Sequence, residues 1–208
     1  MFDSKMYKLS AEGRSVQCLT RLPNLMSRSK AALGGSHQND IVELRILAHG
    51  LRDELSSSLS TLRQRWHENT TEIVDPKKPL YTDLMRCHFL RSYALGLAIA
   101  IFINEVRLAL CPDAADIQEE SHEFALEILD LAGAALQYRP LGSYVLGICL
   151  LAADYGARDA EMKIAIRKMQ LDYASDFQGT EGLESVQELQ LICGRKWSPF
   201  LDQNPNAS

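Results

Sequence analysis

The residues best spaced for chemistry are Glu119 and His122, three apart, which places both side chains on one face of a helix. Glu-x-x-His is half of a dinuclear carboxylate centre; the whole needs a second copy and two further glutamates from other helices. His37, His49, His67 and His88 have no Asp or Glu three positions upstream, so the second copy is missing. The pair is therefore expected on an exposed polar helix face. His122-Glu123 does not make a zinc-protease helix either, because Leu126 occupies the position of the second histidine.

Nucleophilic chemistry has no anchor. The chain contains no Gly-x-Ser-x-Gly turn, and Gly34-Gly35-Ser36 lacks the lysine of a phosphate-binding loop. Cys87 and His88 are adjacent, so on a helix their side chains diverge by about 100° and do not form a nucleophile-base pair. The five cysteines (Cys18, Cys87, Cys111, Cys149 and Cys193) are far apart and odd in number, with no pair at metal-ligand spacing. Free thiols in a reducing compartment are expected. No catalytic, cofactor-binding or metal-ligating residue is assigned, and no cofactor is implied.

A few polar groups lie where apolar ones belong. Asn104 continues the stripe Leu97, Ile101, Leu108. A buried amide must be hydrogen-bonded, or it costs on the order of 1–3 kcal/mol. Pairing with a neighbouring helix or a backbone group is the plain reading, and lining a small-molecule cavity between two apolar helices is the other. Arg107, Arg139 and Arg158 carry the same pair of readings, with ion-paired structural roles expected.

The elements that would position these groups are helices. Ile41, Leu44, Leu47, Leu51, Leu55, Leu59, Leu62 and Trp66 recur at steps of three and four, which makes one apolar stripe on a long helix from Asn39. Gly50 is a place for a kink. The stripe is expected in the domain's own core, with a self-association seam as the alternative. Arg52, Asp53, Arg63 and Glu68 are expected on its solvated flank. Asp75-Pro76-Lys77-Lys78-Pro79 breaks the pattern, and a second helix runs from about Leu80 to Leu110. A third spans about Ala114 to Gln137, with Phe124, Ile128 and Leu131 opposite the acidic run Gln118-Glu119-Glu120. A fourth, almost wholly apolar, spans about Leu141 to Tyr155. A fifth runs from about Ala160 to Ala174, opened by Asp159, and a last one carries Leu183, Val186, Leu189 and Ile192.

No segment alternates as a strand would. The expected fold is all-α, an irregular bundle of five to six main helices with two buried apolar ones, the second and the fourth. Residues 1–38, rich in Ser, Arg and Lys and broken by Pro23 and Gly34-Gly35, are expected as a poorly ordered tail or linker remnant. Residues 39–197 form the domain, and 198–208 a frayed tail.

With 208 residues, 46% of them hydrophobic and 24% charged, the chain is long and apolar enough to bury a proper core. Its formal net charge of −5 argues against direct nucleic-acid binding, which uses a clustered Lys/Arg surface to neutralise phosphates. The apolar runs Tyr93 to Ile103 and Leu141 to Ala153 fall short of the roughly 20 residues of a spanning helix, so no membrane is expected. The first ten residues do not read as a secretory signal.

The order of features resembles the helical regulatory region C-terminal to the binuclear zinc cluster of fungal transcription factors. The likeness rests on Leu62-Arg63-Gln64-Arg65-Trp66 before a Pro-containing linker, then Tyr81 through Tyr93 to Asn104-Glu105-Val106-Arg107-Leu108. Phe124-Ala125-Leu126-Glu127-Ile128-Leu129, the connector Arg139-Pro140-Leu141-Gly142, Arg158-Asp159 and Phe177 to Gly182 follow in order. It covers about Asp40 to Trp197. The six-cysteine zinc module of that family has no counterpart here. The resemblance implies a non-enzymatic transcription-regulatory domain in the nucleus that acts through protein partners, self-association or a small-molecule effector. Without the resemblance, the expected location is the cytoplasm. The rival readings are an all-helical metabolite-binding protein or enzyme with no sequence-local motif, and a helical scaffold.

Overall fold

The computed structural model describes residues 9–35, 40–71, 79–112 and 114–177. Six α-helices account for most of them: α1 Ala11–Leu33, α2 Ile41–Thr71, α3 Pro79–Leu110, α4 Ala115–Ala135, α5 Ser143–Gly156 and α6 Ala160–Ala174. Short 3-10 turns, Leu136–Tyr138 and Ser175–Phe177, extend α4 and α6. Among the described residues there is no strand, so the chain is an all-α bundle.

The N-terminal segment departs from expectation. The residues read as a loose tail contain α1, a 23-residue helix. Ser10 caps it by accepting a hydrogen bond from the Gly13 N–H at 3.1 Å. Ala11, Ser15, Cys18, Leu22, Leu25, Ser29 and Ala32 make its inner face. Small and polar residues at steps of three and four hide an amphipathic pattern that larger residues would announce. Pro23 and Leu19, the residue whose carbonyl loses its N–H partner, both lie on the exposed face and not in the core.

Leu44, Leu51, Leu55, Leu59 and Leu62 of α2 are buried in the molecule's own core, which settles the placement of that stripe; Leu47 is exposed. Gly50 does not divide the helix. A Cβ added there would meet nothing within 4 Å, so the position is merely open. At Gly96 of α3 the opposite holds, since an added Cβ would stand 2.8 Å from Leu59 Cδ2; this glycine sets the close approach of α2 to α3.

Helix α3 is the axis of the bundle, with α1, α2, α4 and α5 packed around it. Leu97, Ala98, Ile99, Ala100 and Ile101 are consecutive and all buried, so every side of the helix is covered at that level. The span Tyr81–Leu110 is long and apolar enough to cross a membrane, yet 72% of its most apolar window is buried inside the molecule. Its apolarity is used by neighbouring helices. Helix α5 is the second apolar helix, set against α3, α4 and α6. It starts at Ser143, two residues later than expected, because Gly142 takes a left-handed conformation (φ +85°) that ends the turn after Pro140. At its far end Gly156 abuts α4: a Cβ there would lie 2.6 Å from the Ser121 carbonyl oxygen.

Helix α6 spans the expected residues, capped by the Asp159 carboxylate on the Met162 N–H at 2.6 Å. The expected helix carrying Leu183 to Ile192, the frayed tail 198–208 and most of the breaker before Pro79 lie outside the described residues, as does Cys193.

Candidate functional site

Three helices bring the unusual polar groups to one place. Asn104 and Arg107 are three apart on α3 and share a face, Arg52 comes from α2, and Glu120 and Ser121 come from α4. Asn104 is fully buried. Its Nδ2 donates to Glu120 Oε2 at 2.8 Å and to Ser121 Oγ at 3.2 Å, while Arg107 Nη1 donates to its Oδ1 at 2.8 Å. The amide is thus satisfied by α4 and by its own helix.

Glu120 is the hub. Arg52 donates to both its oxygens, Nη2 to Oε1 at 2.5 Å and Nε to Oε2 at 3.3 Å, and Arg107 Nη1 stands 3.6 Å from Oε2. The Arg52 guanidinium also lies over the Phe124 ring, 5.2 Å from its centroid. The side chains of Arg52 and Arg107 are 10% and 13% exposed, against 32% for Glu120. Burial pushes the Arg107 pKa down and the nearby Glu120 carboxylate opposes that. On its outer side Arg107 Nη2 meets His49 Nδ1 at 3.3 Å. Arg52, Asp53, Ser56, Arg107, Asp116, Ile117 and Glu120 line an open cleft of about 330 Å³ at this junction.

Arg52, expected on a solvated flank, is buried, and Glu120, expected on an acidic outer face, turns inward to meet it. A signal was present in both cases. Ala48, Arg52 and Leu55 stand at i, i+4 and i+7, as Ile117, Glu120, Phe124 and Ile128 stand at steps of three and four. Each charge interrupts an apolar stripe, and complementary interruptions on two helices are what an interhelical ion pair requires.

The Glu119/His122 pair is used differently. Arg158, in the connector after α5, donates through Nη1 to Glu119 Oε2 and through Nη2 to Gln118 Oε1 at 3.0 Å, and its backbone N–H donates to His122 Nδ1 at 3.4 Å. His122 Nε2 is 4.0 Å from Asp159. These contacts pin the α5–α6 connector to α4. Among the described residues no group of three or more His, Cys, Asp and Glu is gathered as a metal site would need.

Arg139 ties the other end of the bundle. It donates to both Asp176 oxygens, to Asp172 Oδ2 at 3.0 Å and to the Asp172 carbonyl at 2.8 Å, and it lies over the Tyr173 ring. Ser143, at the start of α5, donates to Asp176 Oδ2 at 2.5 Å. Hydrogen bonds from Arg139 and Ser143 hold the Asp176 carboxyl below the usual range. Arg107, Arg139 and Arg158 are all in ion pairs between elements.

Among the described residues no cysteine is paired with a base. Cys18, Cys87 and Cys149 are buried and Cys111 is exposed; burial pushes the Cys149 thiol up to about 12. The Cys87 thiol faces the Leu141 carbonyl at 3.5 Å.

No protein-family model, no curated protein and no solved structure matches the chain at a significant level.

Proposed function

We propose that this chain is a non-enzymatic regulatory domain of the kind that follows the zinc cluster in fungal transcription factors. It acts through contacts with proteins or a small effector while a separate module reads DNA. The observation that supports this reading is where the reactive-looking side chains go. Glu119, His122, Asn104, Arg107, Arg139 and Arg158 are engaged in cross-ties between elements. A body of packed helices cross-tied by ion pairs suits a domain that holds a shape and passes on a small rearrangement. The succession of elements from Leu62 to Asp159 that carries the resemblance falls on α2 to α6 and their connectors. Tethering the chain to an unrelated DNA-binding domain upstream of a reporter tests the proposal. A change in reporter output relative to the DNA-binding domain alone supports it, and unchanged output at equal protein abundance contradicts it.

A further inference from the structure

The cleft between α2, α3 and α4 has a charge order that a purely structural cross-tie does not need. Its floor holds two guanidiniums, Arg52 and Arg107, against one carboxylate, Glu120, leaving a buried excess of positive charge. Its rim carries two exposed carboxylates, Asp53 from α2 and Asp116 from α4. One donor at the cleft is unspent: among the described residues Arg52 makes its bonds through Nε and Nη2 and leaves Nη1 free. Arg107 Nε also has no hydrogen-bond partner among the described residues, but it is closed off from solvent. Arg52 is nine-tenths buried, its side chain 10% exposed, and it borders the open volume.

We propose that this cleft binds a small zwitterion of the α-amino-acid type, its carboxylate on the Arg52/Arg107 floor and its ammonium between Asp53 and Asp116. The unspent Nη1 of Arg52 and the positive charge of the floor attract a carboxylate, which a rim of carboxylates alone would repel. An ammonium placed at that rim removes the repulsion, whereas a simple carboxylate or phosphate has nothing to set against the two aspartates. The cleft, at about 330 Å³, lies at the small end of metabolite sites. Ile117 is the apolar residue of the lining and offers a surface for a short side chain. Ligand binding here draws on Arg52, Arg107 and Glu120, which belong to three different helices, so it gives the proposed regulatory body a means of sensing. The inference deepens that reading, but its test needs no transcription.

Isothermal titration of the purified full chain with each of the common L-α-amino acids, at up to roughly 10 mM, provides the test. At least one is expected to bind, and its N-acetyl and its amide derivatives, which each remove one charge, are expected to bind at least tenfold more weakly. Asp53→Asn, on the exposed rim and outside the Arg–Glu network, is expected to weaken the amino acid severalfold and leave circular dichroism and melting unchanged. Heat from no amino acid overturns the proposal. So does acetate binding as tightly as the amino acid, or affinity indifferent to Asp53→Asn. A reporter that responds in the tethering experiment while no amino acid binds would overturn this inference and leave the regulatory reading standing.

Discussion

Replacing Glu120 by Gln removes the one carboxylate that two buried guanidiniums share, with little change of shape. Glu120 accepts from Arg52 at 2.5 and 3.3 Å and from Asn104 at 2.8 Å, with Arg107 3.6 Å away. Removing one partner of a buried ion pair costs about 3–5 kcal/mol, because the charge left behind stays desolvated. The Glu120 side chain is 32% exposed, so solvent screens part of the loss and about 2–3 kcal/mol is expected. For a chain of this length each kcal/mol moves the melting temperature by roughly 2–4 °C, giving a fall of roughly 4–12 °C. Denaturant and thermal unfolding followed by far-ultraviolet circular dichroism measures it. Glu119→Gln is the control: its ion pair with Arg158 is 56% and 41% exposed, and its loss should cost less than about 1 kcal/mol. Adding Arg52→Met to Glu120→Gln should restore part of the stability, since the double change removes both halves of a buried pair. Glu120→Gln as stable as the native chain, or no more harmful than Glu119→Gln, would refute the claim that this network ties α2, α3 and α4.

Three other perturbations probe separate features. Gly156→Ala places a methyl 2.6 Å from a backbone oxygen of α4 and should cost about 1–3 kcal/mol, whereas Gly147→Ala in the same helix meets nothing within 4 Å and should stabilise by about 0.5–1 kcal/mol; urea unfolding compares them. Burial pushes the Glu105 carboxyl up to about 7 from 4.5, with Lys163 opposing, so the native state binds its proton more tightly than the unfolded chain does. The resulting destabilisation is absent below pH 4.5, grows between 4.5 and 7 and is complete above 7. Glu105→Gln should therefore add about 3 kcal/mol of stability at pH 8 and nothing at pH 4, read from unfolding curves at both pH values. Alkylation of the native chain followed by peptide mapping should modify Cys111 well before Cys18, Cys87 or Cys149, the order their burial dictates.

The large apolar residues made most of the fold readable. The α2 stripe, the all-round apolarity of α3 and α5 and the Asp159 cap of α6 each have one physical solution, and the helices form where those patterns lie. Helix α1 was hidden because its inner face uses Ala, Ser and Cys between its leucines, and because Pro23 argues against a helix unless its carbonyl partner faces water. At the site, Asn104 and Arg107 stood out as polar interruptions of an apolar helix. Arg52 and Glu120 did not, because a single charge beside a stripe reads as flank until a second helix supplies its counter-charge. That pairing is a tertiary fact, fixed by which face of α4 meets α2.

The measurement that bears most directly on the regulatory reading is the tethered reporter, run with the native chain and with Glu120→Gln at matched abundance. The account predicts that the native chain shifts transcription severalfold from the DNA-binding domain alone, and that Glu120→Gln, by loosening the junction of α2, α3 and α4, reduces that shift. Reporter output identical for the DNA-binding domain alone, the native fusion and the variant would contradict it.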